Sequence, residues 1–85
     1  MLRVSVISPE RVLFEGEVRG LVAPAFDGEV GILTGHAPMM ALLGRGELRL
    51  TGATGDGPQR FRVAGGFLQV VDNQVRVVTE QADAV

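Results

Sequence analysis

Polar and apolar residues alternate along this chain in short bursts, and glycine, proline or an acidic/amide pair ends each burst within a few residues. Period-two alternation buries one face of a sheet, and Gly/Pro clusters make turns, so the pattern specifies short strands and leaves no room for a long helix. Residues 2–6 place Leu2, Val4 and Val6 on one face, and Ser8, Pro9 and Glu10 turn the chain. A second strand is expected over 11–15, a pivot at Gly16, and a third strand over 17–23 that ends at Pro24. Asp27-Gly28 reads as a turn because glycine tolerates positive φ. Val30 and Ile32 alternate with glycine in the strand that follows, and Thr34-Gly35-His36-Ala37-Pro38 breaks it with a second loop. The unalternated run 39–43 is too short for a helix between Pro38 and Gly44, and reads as a buried strand.

Further on, residues 47–51 and 59–64 alternate cleanly, with Leu48, Leu50, Phe61 and Val63 facing inward. A glycine-rich hairpin loop over 52–58 joins them and is the segment expected to be most mobile. Gly65-Gly66 marks a sharp corner or a close backbone approach. Residues 67–71 and 74–79 form a hairpin around Asp72-Asn73, a two-residue primed turn. Residues 80–85 lack a period and read as a tail. Thirteen valines support sheet throughout. The expected fold is all-β: one domain over residues 1–85, a flattened sandwich or barrel of about 8–10 short, mostly antiparallel strands.

Composition removes several functions. With no cysteine and one histidine, disulfides, thiolate metal sites and a self-contained zinc site are out of reach. The net charge is −2, and the eight basic residues, all arginine, are interleaved with acids, which disfavours nucleic-acid binding. The longest apolar run, 37–43, falls far short of the roughly 20 residues of a spanning helix. The first residues lack a signal peptide's apolar stretch, so the chain reads as cytosolic. His36 could act as a base oriented by Asp27 or Glu29, but no nucleophile motif accompanies it. Gly52, Gly55 and Gly57 have the density of a phosphate loop without its Lys-Ser/Thr pair. An apolar content of 46% in so small a chain instead points to surfaces kept for a partner. From the residues alone a free-standing ligand- or protein-binding module and a small hydrolase built on His36 stay open.

A longer signature narrows this. Gly28-Glu29-Val30-Gly31-Ile32-Leu33, one residue, then Gly35-His36-Ala37-Pro38 is similar to the N-terminal β-sandwich domain of the epsilon subunit of F-type ATP synthases. Val4, Val6-Ile7-Ser8-Pro9-Glu10, Phe14-Glu15-Gly16, residues 63–70 and residues 75–79 carry the same resemblance over residues 1–80. It implies a non-catalytic rotor subunit with no cofactor or metal. Such a subunit is clamped to gamma and to the c-ring at the cytoplasmic face of a bacterial membrane, and couples proton flow to ATP synthesis. On that resemblance Asp27, Gly28 and Glu29 face the c-ring, while Ser8, His36, Met39 and Met40 face gamma. Thr34 stands where the family usually has proline, which implies a looser loop. The family's helical hairpin, used for inhibition and ATP binding, is expected to be missing, because the sequence stops at Val85.

Overall fold

A computed structural model describes residues 1–54 and 59–85. Eight strands run in chain order: β1 (Leu2–Ile7), β2 (Val12–Val18), β3 (Gly20–Ala25), β4 (Gly28–Leu33), β5 (Met39–Leu42), β6 (Arg45–Thr51), β7 (Arg60–Val71) and β8 (Gln74–Ala84). The described residues contain no helix. The order β2-β1-β8-β7-β6-β3-β4 is open, and β5 pairs with β7 off that path. All pairs are antiparallel except β1 with β8. The expected sandwich is therefore present as an open sheet folded on itself, without barrel closure.

The long β7–β8 hairpin makes the fold. Residues 67–70 of β7 pair with β5, residues 60–64 pair with β6, and β8 follows β7 along both halves. One layer is thus β2-β1-β8-β7-β5 and the other β8-β7-β6-β3-β4. The thinnest dimension, 18 Å, suits two sheets packed about 10 Å apart. At the crossing, Gly65 (φ 74) and Gly66 (φ 106) adopt backbone conformations that side chains rarely tolerate. A Cβ on Gly66 would land on the Val78 carbonyl oxygen. The inward face changes parity there: Phe61 and Val63 are buried before the glycines, Leu68 and Val70 after them. In β8, Val75, Val77 and Thr79 are buried, whereas Ala82 packs on the core further on.

That switch corrects two expectations. Residues 59–64 and 67–71 are one strand bent at the glycines, and residues 80–84 are strand rather than tail, with Gln81 opposite Ala64 and Ala84 opposite Phe61. Period-two reading fails at a parity change even where pairing continues. Other boundaries shift as well. Gly16 pairs with Val4 inside β2, so the break falls at Arg19 and not at Gly16. Pro24 lies within β3, opposite Glu29. The β6 ladder stops at Val22, so the missing proline N–H removes no ladder bond. Of the run 39–43, residues 39–42 form β5 and Leu43 makes an isolated bridge to Ala25; only Leu43 is buried. Met39 and Ala41 are half-buried, and Met40 and Leu42 point to solvent. As for the mobile loop expected over 52–58, its residues 55–58 lie outside the described residues.

The core joins both layers through Leu2, Val4, Val6, Ile32, Leu48, Leu68 and their neighbours. The one buried polar residue among them, Thr79, donates its hydroxyl to the Gln81 carbonyl at 2.8 Å.

Candidate interaction surfaces

Three turns and one sheet face hold the residues singled out from the sequence. The first turn closes β3 onto β4. Ala25 pairs with Gly28, so the connection is Phe26-Asp27 rather than Asp27-Gly28, and Gly28 opens β4 at φ 135. Asp27, Gly28 and Glu29 are all exposed there. Glu29 Oε2 accepts from Arg49 Nη2 at 3.4 Å, with both side chains largely in solvent. Such a pair is worth about 0–1 kcal/mol and orients Glu29 more than it stabilises the domain. Asp27 has no basic partner within salt-bridge distance among the described residues. The hairpin is braced from behind: Phe26 N donates to Leu42 O and Gly44 N to Pro24 O, each at 2.8 Å, and Ala25 bridges Leu43.

The second site is the β4–β5 loop. His36 N donates to Leu33 O at 3.1 Å, and His36 Nδ1 lies 2.7 Å from Ala37 O, so the imidazole is engaged by its own loop. Gly35 N donates to Asn73 Oδ1 at 2.6 Å, tying this loop to the β7–β8 turn. That bond holds the residue after Thr34 from outside the loop. Asp27 and Glu29 sit on the other hairpin, and no group of His, Asp and Glu side chains suited to a metal occurs among the described residues.

Ser8 serves its own turn. Its N–H donates to Arg11 O at 2.9 Å and its Oγ accepts from Arg11 N at 3.3 Å. Because Ile7 pairs with Val78 while Asn73 lies beyond Gln74, Ser8 and His36 stand at opposite ends of the first layer. Six residues of strand separate those ends, about 20 Å. Met39 packs against the core and Met40 lies on the outer face.

Sequence reasoning missed what lies between these ends. Register aligns Leu42 with Phe67, Phe67 with Val78, Val78 with Ile7, and Ile7 with Val12. All five side chains are on the outer face and none is fully buried. They form an apolar row that crosses five strands, about 19 Å long at the usual strand spacing. The rows to one side of it are mostly polar: Gln69, Arg76, Ser5 and Glu15, continuing from Met40, then Gln74, Arg3 and Glu17, continuing from Val71. Each strand shows only one member of the row, so the row becomes visible only once register is known.

The family model for the β-sandwich domain of the ATP synthase delta/epsilon chain matches residues 1–85. The chain belongs to this family. It is 42% identical over 80 residues to the ATP synthase epsilon chain of Syntrophomonas wolfei, an alignment covering 94% of this chain and 58% of that one. It is 47% identical to the epsilon chain of Leptospira borgpetersenii, covering 93% and 61%. The chain therefore spans about three-fifths of these relatives' length. The epsilon chain of Chlorobium limicola, 35% identical, is covered over 88% of its length. The fold is shared with a chain of the Tetrahymena thermophila mitochondrial ATP synthase central stalk and c-ring structure, at a TM-score of 0.82 and 17% identity, over 98% of this chain and 66% of that one. A chain of the Euglena gracilis mitochondrial ATP synthase structure, containing F1 and c-ring, gives 0.84 at 24% identity, over 98% and 52%.

Proposed function

We propose that this epsilon-type domain is a non-catalytic subunit of the central stalk of a proton-translocating ATP synthase, held at the cytoplasmic face of a bacterial membrane by its partners. In this role it joins gamma to the c-ring so that torque passes between them. The observation that carries the reading is the apolar row on the outer face of the first layer. A continuous apolar row on an outer sheet face, widened by Met40 and bordered on one side by mostly polar rows, is the kind of surface that protein contacts use. The row, with Met40 beside it and with Ser8 and His36 at the two ends of the face, is the gamma surface. Met39 acts from behind, as core. Asp27, Gly28 and Glu29, on the braced β3–β4 hairpin, face the polar loops of the ring. The charges set orientation and on-rate while apolar burial supplies affinity. No cofactor is required, since the subunit transmits force and makes no bonds.

The test is co-purification of the tagged chain from detergent-solubilised membranes of its source. Recovery with gamma, the catalytic subunits and the c-ring is the expected result. A chain recovered alone, as a monomer, would instead favour a free-standing binding module.

A further inference from the structure

The β3–β4 turn carries a large apolar side chain. Neither Phe26 nor Asp27 has positive φ, so the backbone accepts most residues and the unusual angle falls on Gly28, but turn positions favour small polar residues that are at ease in water. The β3–β4 connection begins with Phe26, which is 80% exposed, the most exposed of the large apolar residues. A lone exposed apolar residue is ordinary, but this one is neither alone nor loose. Its amide is fixed to Leu42 O at 2.8 Å. Leu42, 66% exposed, is the first member of the apolar row. A large aromatic side chain held in solvent on a fixed backbone, next to an existing apolar surface, marks a contact position.

The geometry points to Phe26, with Leu42 beside it, as the apolar anchor that seats the β3–β4 hairpin in a protein partner. That partner presents an apolar socket with a cationic rim. The rim follows from charge: Asp27 and Glu29 follow Phe26 in sequence, Glu29 is met by Arg49, and Asp27 has no basic partner among the described residues. The same acids oppose an anionic lipid surface. They also oppose a second copy docked hairpin to hairpin, where acid would meet acid. This inference deepens the stalk reading and rests on it. It makes the ring-facing hairpin and the gamma-facing row one continuous footprint, joined at Phe26 and Leu42.

The experiment measures binding of the full chain to a rotor subcomplex of gamma and c-ring cleared of its own epsilon chain. Phe26→Ala is expected to weaken binding roughly tenfold or more, as loss of a buried aromatic anchor does. The loss should be nearly the same at low and high salt, and Phe26→Leu should restore most of it. Asp27→Asn should slow association at low salt only. Both variants should melt within a few degrees of the parent, because the ring is exposed in the free domain. Equal binding by Phe26→Ala overturns the anchor and leaves the stalk reading intact. No binding by the parent chain overturns both. Phe26-dependent binding to anionic vesicles, or Phe26-dependent self-association, would assign the ring to lipid or to a second copy and overturn the proposal.

Discussion

Among the described residues two hairpins close through two-residue turns, and they are built on opposite principles. Asp72-Asn73 obeys turn chemistry: both residues hold positive φ, 49 and 62. Its groups are spent inside the fold, since Asn73 O accepts from Arg3 N at 2.9 Å and Asn73 Oδ1 accepts from Gly35 N. Phe26-Asp27 has no positive φ of its own and leaves that strain to Gly28. It is fixed only through its backbone, and both its side chains are left in solvent. One turn closes the long hairpin that spans both layers and pins the β4–β5 loop. The other is held steady so that its side chains stay free. Within one small domain, a turn whose side chains bond back into the fold is spent on stability, and a turn fixed only through its backbone leaves its side chains available for recognition.

The comparison can be broken most forcefully in the hairpin that the first turn closes. Gly66→Ala places a methyl group on the Val78 carbonyl at φ 106. The cost should be about 3 kcal/mol or more, combining backbone strain with overpacking. For a domain with roughly 4–13 kcal/mol of total stability, urea denaturation should show a large fall in midpoint or no folded baseline. Gly65→Ala is expected to cost less, because what it meets is the movable Glu80 side chain rather than backbone.

Asn73→Ala removes the side chain that holds Gly35 and forces alanine into a left-handed conformation. A loss of about 1–2 kcal/mol is expected. Asn73→Gly keeps the conformation and loses only the side-chain bond, so it should fall between parent and alanine variant in the same denaturation series. Phe26→Ala, at the opposite turn, should change stability by no more than about 0.5 kcal/mol. If it destabilised the domain as much as Asn73→Ala does, the contrast between the turns would be lost. The smallest effect belongs to Glu29→Gln, which breaks the exposed pair with Arg49. Thermal melting should shift by less than about 1 kcal/mol equivalent, and by less still at high salt.

Much of this was legible in the residues themselves. The Asp72-Asn73 turn, the inward faces of β1 and β6, and the all-β class follow from period and turn chemistry. The family signature at residues 28–38 singled out Asp27, Glu29, His36 and Met40, none of which is buried. What stayed hidden has physical causes. The parity change at Gly65-Gly66 splits one strand into two apparent ones and makes residues 80–84 look irregular. Met39 and Met40 adjoin in sequence, and only alternation on an edge strand sends one to the core and the other to the surface. The apolar row draws a single residue from each of five strands, so no window of sequence contains it. Phe26 was overlooked because a single apolar residue in a turn carries no period of its own and the signature that drew attention begins after it.

Hydrogen exchange read peptide by peptide, on the chain alone and bound to the gamma and c-ring subcomplex, tests the division of labour most directly. Amides over residues 26–29 and 40–43 should gain strong protection on binding. Those around Asn73 and Arg3, already held by the fold, should change little. Unchanged exchange over 26–29 in a complex that does form would contradict the account.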